Sequence, residues 1–232
     1  MPQKPVGLHP PALPRPALPK AAGESTQPSV EGDNRGAPGQ ALRVLVVFEG
    51  IDGSGKTTLS KASAEAIRAS GRRVVWTREP TDGPYGARLR QAAARGERFA
   101  PREELELFMA DRAQHVTDVV RPALDRGDHV VQDRSFYSTA AYQGARGLDR
   151  DAILERGRSV APEPDLLFVL DLPVEDALAR VAERGAVRDA FEHERALQDV
   201  RAFFQGLRGI VLLDARRSQA DLLQEVLARV VG

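Results

Sequence analysis

One glycine-rich run holds the clearest chemistry in this chain. Gly50-Ile51-Asp52-Gly53-Ser54-Gly55-Lys56-Thr57 fits the pattern G-x-x-x-x-G-K-[ST]. Glycines at this spacing let successive backbone N–H groups turn inward around phosphate oxygens. A helix starting near Lys56 adds the positive end of its dipole. Lys56 brings a full charge to the outer phosphates, and the Thr57 hydroxyl can ligate a Mg²⁺ ion shared with phosphate oxygens. A chance glycine-rich turn is the competing reading. The valine-rich run before it and the helical stretch after it argue against chance. Asp52 has two open readings: a hydrogen bond to a substrate hydroxyl or a metal-bound water, or a turn-forming aspartate bonded to its own backbone.

Other candidates sit at the ends of apolar runs or on helix faces. Asp133-Arg134 closes the third such run: Asp133 can hold water of a magnesium shell, and Arg134 can fork onto a phosphate. A plain surface ion pair is the alternative. Arg78-Glu79-Pro80 closes the second run, where Arg78 could meet an acceptor phosphate with Glu79 orienting it. Over 101–126, Leu105, Phe108, Val116, Val119 and Ala123 recur at helical spacing, and Arg112 falls inside that stripe. A guanidinium facing a core needs a buried carboxylate or a ligand, and both remain open. Phe108 is either core or a stacking surface for a planar base. Thr139 and Gln143 can hydrogen-bond a base edge from a short helix over 138–144, which Tyr142 would pack. Arg180, Arg184 and Arg188 recur every four residues, ahead of Asp189, Phe191 and Glu192 and around Gly185. Such a segment is a solvated helix or a mobile arginine lid over 180–192 that closes on a transferring phosphoryl group.

The elements that must position these groups alternate. Apolar runs at 42–49, 73–77, 129–132, 165–172 and 210–213 read as strands. The stretches 56–70, 84–95, 101–126 and 219–231 read as helices. Continuous apolar strands separated by helices predict a parallel sheet covered on both faces. Residues 1–41 are rich in proline, then in Gly, Ser, Gln and Asn, and are expected to form a disordered extension ahead of one domain, 42–232.

Composition narrows the partners. Lys+Arg and Asp+Glu are 33 each, so no global field favours nucleic acid or an anionic membrane. There is no cysteine, which excludes disulfides and thiolate chemistry and suits a cytoplasmic setting. No apolar run approaches the ~18 residues that span a bilayer.

Taken together, Phe48–Thr58, Thr77-Arg78-Glu79-Pro80, Leu107–Ala113, Asp133-Arg134, Ala141-Tyr142-Gln143-Gly144 and Pro164-Asp165-Leu166 resemble the thymidylate kinases. The resemblance implies a P-loop NTPase fold of three α/β/α layers around a five-stranded parallel sheet. It implies ATP-dependent, Mg²⁺-requiring phosphorylation of dTMP, and commonly a homodimer. ATP would lie on Gly50, Ile51, Asp52, Gly53, Ser54, Gly55, Lys56, Thr57 and Thr58. Phe108 would stack on thymine and Arg112 would bond its carbonyl edge. Thr139 and Gln143 would lie near the base, Tyr142 near the deoxyribose, and Asp52 at the 3′-hydroxyl. Arg78 and Arg134 would hold the acceptor phosphate. Position 53 is glycine, so the catalytic basic group would come from the lid as Arg184 or Arg188, with Asp189 and Glu192 as an acidic pair near metal and sugar. Two departures stand out: Ser135 replaces a frequent tyrosine, and the lid is short in arginine. Rivals are a kinase of another nucleotide such as dUMP, and a nucleotide-binding relative weakened in transfer.

Overall fold

A computed structural model describes residues 43–183 and 190–231. Five strands form one all-parallel sheet: β1 (Leu45–Gly50), β2 (Val74–Arg78), β3 (His129–Asp133), β4 (Leu166–Asp171) and β5 (Ile210–Asp214), in the order β2-β3-β1-β4-β5. The central strands β1 and β3 are buried along their whole length. This is why they read as unbroken apolar runs rather than alternating ones. Phe48 and Phe168 stack between β1 and β4 with centroids 5.3 Å apart.

The chain leaves β1 in one direction, through α1 (Lys56–Ala69) to β2. It later returns from β3 in the other direction to β4. Right-handed crossovers running opposite ways place their helices on opposite faces. So α1 and α9 (Gln219–Val230) pack together on one face, while α5 (Phe136–Gly144) and α8 (Ala190–Gln205) pack on each other and on β1. The reversal of strand order at β1 opens a crevice beyond the carboxyl ends of β1 and β3. Ligands bind at such a point in open parallel sheets.

The sequence reading needs correction in places. The helix expected over 101–126 is three pieces: α3 (Pro101–His115), a wide π-helical turn (Val116–Val120) and α4 (Arg121–Asp125). Pro122 has no N–H to donate, and its ring would clash with the carbonyl four residues back in an unbroken helix. The wide turn absorbs this, with the Arg121 N–H donating to the Val116 carbonyl five residues back. The extra residue shifts the inward face, so Val116 and Val120 are buried and Val119 is only partly so. Three helices were not foreseen, α6 (Arg150–Val160), α7 (Val174–Ala182) and α8, and α2 (Pro84–Ala94) completes the set among the described residues. None of these helices is long and apolar enough to cross a membrane.

Candidate active site

The loop after β1 is shaped by three glycines at positive φ: Gly50 (140°), Gly53 (87°) and Gly55 (95°). At Gly50 a Cβ would stand 2.5 Å from the Leu170 carbonyl oxygen. Only glycine fits both that torsion and that contact. Lys56 is buried, and its Nζ spans the loop to donate to the Ile51 carbonyl at 2.7 Å. Burial lowers its pKa to about 8, helped by the nearby Arg134 charge and opposed by Asp52, Asp133 and Glu49. Asp52, in the same loop, pairs with Arg134, so Lys56 and Arg134 share one rim.

Arg134 follows β3 in the left-handed region, at φ 68°. A non-glycine residue held there costs roughly 1–3 kcal/mol, and such strain persists only where its surroundings impose it. Here its N–H donates to the Phe48 carbonyl at 3.0 Å, and its own carbonyl accepts from Gln132 Nε2 at 2.8 Å. The twist turns the side chain back over the crevice. Its guanidinium pairs with Asp52, donates to Ser138 Oγ at 2.9 Å and lies 5.4 Å from the centre of the Tyr142 ring. The Tyr142 hydroxyl accepts from the Asp52 backbone N–H at 3.1 Å. Asp52 therefore faces the cleft and bridges the phosphate loop to Arg134.

Beneath this rim lies buried Glu49. Its carboxylate accepts from Ser135 N (2.7 Å), Ser135 Oγ (2.9 Å), Ser138 N (3.1 Å) and Ser138 Oγ (2.5 Å). Burial still leaves its pKa above the ordinary carboxylate value, despite the Arg134 charge and these bonds. A chain Glu49–Ser138–Arg134 thus fixes the start of α5 and the arginine together. Sequence reasoning missed Glu49, Ser135 and Ser138. Ser135 caps α5 with its own side chain.

Across the rim a cavity of about 330 Å³ runs between α2, α3 and α5. Phe108, Arg112, Thr139, Tyr142 and Gln143 all line it, with Asp52 and Arg134 at its mouth. Arg112 finds the buried carboxylate of the first reading in Glu79, and it also lines the cavity. Its Nε and Nη2 bind Glu79 Oε2 at 3.0 and 2.6 Å, and Nη2 also reaches Thr139 Oγ1 at 2.9 Å. Burial would raise the Glu79 pKa, but the Arg112 charge and the His115 hydrogen bond outweigh it and hold it low. Glu79 therefore orients Arg112, not Arg78 as expected.

Arg78 is placed elsewhere. It pairs with Asp82 at 3.0 Å along a separate hollow between β2 and α3. The backbone of β2 alternates its side chains, so adjacent Arg78 and Glu79 diverge. Arg90 stands on the cavity wall, binding the Pro80 carbonyl at 2.9 Å and Asp82 at 2.6 Å. Arg98 and Glu104 complete the far end. Glu104, Phe108 and Arg112 recur at four-residue steps. Phe108 and Arg112 were read on one face from the sequence, whereas Glu104, one turn earlier on that face, was missed.

The donor set for a cation is compact. The Thr57 hydroxyl donates to Asp133 Oδ2 at 2.5 Å, and Asp133 Oδ1 is buried with no hydrogen-bond partner. Two hard oxygens from protein, one of them unsatisfied, suit Mg²⁺, which keeps most of its shell for water and phosphate. No larger cluster of metal-ligating side chains occurs among the described residues. In the expected lid, Arg184 and Arg188, with Gly185 and Asp189, lie outside the described residues. Phe191 and Glu192 fall in the first turn of α8. Arg180 lies in α7 and donates to the Ala215 carbonyl at 3.2 Å, tying it to the end of β5 rather than to a lid.

Comparison with known proteins agrees with this geometry. A sequence model of the family described as thymidylate kinase matches residues 48–226. A thymidylate kinase of Xanthomonas euvesicatoria pv. vesicatoria is 45% identical over 191 residues, covering 82% of this chain and 84% of that protein. One from Xanthomonas oryzae pv. oryzae is 45% identical over 82% of this chain and 83% of its own length. One from Xylella fastidiosa is 44% identical over 81% and 90%. With the phosphate loop, the strained arginine and the walled cavity all inside the matched span, this chain belongs to the thymidylate kinase family.

Proposed function

We infer that the protein transfers the terminal phosphoryl group of ATP to dTMP, giving ADP and dTDP, by direct in-line displacement. The dTMP phosphate is already a nucleophile, so positioning and charge neutralisation carry the reaction. The backbone N–H groups of 50–58 hold the ATP phosphates, and Lys56 swings from the Ile51 carbonyl onto their outer oxygens. Thr57 and Asp133 would hold Mg²⁺, directly and through water. When bound, that ion supplies charge neutralisation on the phosphate oxygens.

Arg134 takes the acceptor phosphate at the mouth of the cavity, with Ser138 keeping its guanidinium level. Arg90 assists from the wall in place of Arg78. Asp52, beside Tyr142, accepts from the sugar 3′-hydroxyl. Phe108 stacks on the base, and Arg112 donates to its carbonyl edge. Arg184 and Arg188 are the groups assigned to the transferring phosphoryl.

The observation that carries this reading is the Arg134 rim. One cleft joins a phosphate loop to a cavity whose inner wall presents a fixed guanidinium, Arg112, to a flat ligand. The test is ADP release across dTMP, dUMP, dCMP, dGMP and AMP. We expect dTMP to lead, exceeding dUMP by about tenfold or more in kcat/KM, the scale of one methyl group in a fitted pocket. Equal turnover of all acceptors, or none with any, overturns it.

A further inference from the structure

The inner end of the cavity holds one amide whose orientation is not free. Gln143 is fully buried, and its Nε2 donates to Glu104 Oε2 at 2.5 Å. Two guanidinium groups converge on the same oxygen: Arg146, whose Nη2 is anchored on the Phe99 carbonyl at 2.8 Å, and Arg98 at 3.6 Å. A carboxylate set among guanidinium groups offers only acceptors, so the amide must turn its N–H₂ toward it. Gln143 Oε1 is left with one long contact, 3.5 Å from Arg146 Nη1. On the neighbouring wall Arg112 is locked the same way. Glu79 takes its Nε and Nη2, and its Nη1 has only Met109 Sδ at 3.5 Å.

The cavity therefore combines a fixed donor, Arg112, with a fixed acceptor, Gln143 Oε1. A pyrimidine with a carbonyl beside a ring N–H matches this pair. Cytosine presents an amino group beside a bare ring nitrogen, the reverse on both counts. Arg112 cannot reverse its polarity, but an amide can do so by turning over, and the groups behind it decide whether it does.

We propose that Glu104 is a positioning residue that locks the Gln143 amide as an acceptor and so excludes cytosine nucleotides from the acceptor cavity. It acts through Gln143, whose amide it orients. The proposal rests on the assignment of the acceptor as a pyrimidine monophosphate, and it adds the group that enforces which pyrimidine.

The test compares kcat/KM for dTMP and dCMP in wild type, Glu104→Gln, Gln143→Leu and the double variant. Glutamine is nearly isosteric with Glu104 yet can donate or accept, so it releases the lock without opening a void. Glu104→Gln is expected to lower the dTMP-to-dCMP ratio about tenfold, through both a fall for dTMP and a rise for dCMP, with KM for ATP unchanged. Gln143→Leu is expected to lower the ratio by losing dTMP turnover without gaining dCMP. In the Gln143→Leu background Glu104→Gln is expected to have no further effect on the ratio, the signature of coupled residues.

A ratio unchanged in Glu104→Gln, or an equal fall for both nucleotides, overturns the proposal. So does the same effect of Glu104→Gln with and without Gln143. Should Glu104→Gln not fold, an unchanged ratio in Gln143→Leu overturns it alone. Wild type that prefers a purine, or turns over no acceptor, instead defeats the functional assignment and is distinguished by that fact.

Discussion

Lys56 illustrates how a single residue's environment sets a measurable pH limit. Its ammonium is buried, faces the Arg134 charge, and has a pKa lowered from 10.5 to about 8 despite the carboxylates of Asp52, Asp133 and Glu49. Phosphate oxygens need the charged form. In free protein that form is complete well below about 8 and is lost as pH rises through it. We expect kcat/KM for ATP to fall above pH of about 8, roughly tenfold per pH unit once the limb is reached. Bound phosphates favour the ammonium, so the limb in kcat at saturating ATP moves to higher pH. A stopped pH profile of both parameters checks this, and coincident limbs would contradict it. The phosphate-loop residues were legible because their pattern is local in sequence. The partnership of Glu49 with Ser135 and Ser138 joins residues about 90 positions apart and has no local signature.

Among elements, the phosphate loop and α7 constrain one another. At Gly53, φ is 87° and a Cβ would stand 2.6 Å from the Ala177 carbonyl oxygen in α7. The packing leaves no room for a basic side chain in the loop unless α7 moves, which agrees with a catalytic arginine drawn from elsewhere. Gly53→Ala should lower stability by about 1–3 kcal/mol and raise KM for ATP more than KM for dTMP. Calorimetry with steady-state kinetics measures both, and equal change in the two KM values would place the strain outside the loop. Element boundaries were legible where a cap and an apolar stripe coincide, as in α9 behind Ser218. They failed where a neighbour supplies the reason. The helix α6 carries Asp149 as its cap, accepting from the N–H groups of Asp151 and Ala152, yet its inward face is only Ile153, Leu154 and Gly157. Gly157 is there because Phe136 of α5 fills the space, with a Cβ meeting Phe136 Cβ at 2.5 Å. A stripe made of a glycine and a partner's ring is invisible to hydrophobic counting. The π-helical turn escaped for a related reason: Pro122 announced a disturbance in the sequence, but its direction depends on the sheet that Val116 and Val120 must reach.

At the scale of the molecule, the parallel sheet was legible from five apolar runs, whereas its order was not. Strand order follows from crossover direction, and nothing within a strand records which neighbour it meets. The same scale bears on the first forty-one residues. The family match begins at Phe48 and β1 at Leu45. From Leu45 to Val230 most of the buried apolar residues form one continuous cluster around the sheet. The cavity, the phosphate loop and the Thr57–Asp133 pair all lie within that span. The composition of residues 1–41 offers little apolar surface to offset the entropy of ordering them. A chain starting at Leu42 is therefore expected to keep kcat/KM for both substrates within about twofold and its melting temperature within about 2 °C, since one kcal/mol in a domain of this size moves Tm by about 2–4 °C. Steady-state kinetics and thermal melts of the two lengths, side by side, decide it. A shift of several degrees would mean that the leader packs on the kinase domain. Loss of activity at unchanged Tm would mean that it contributes to the cleft.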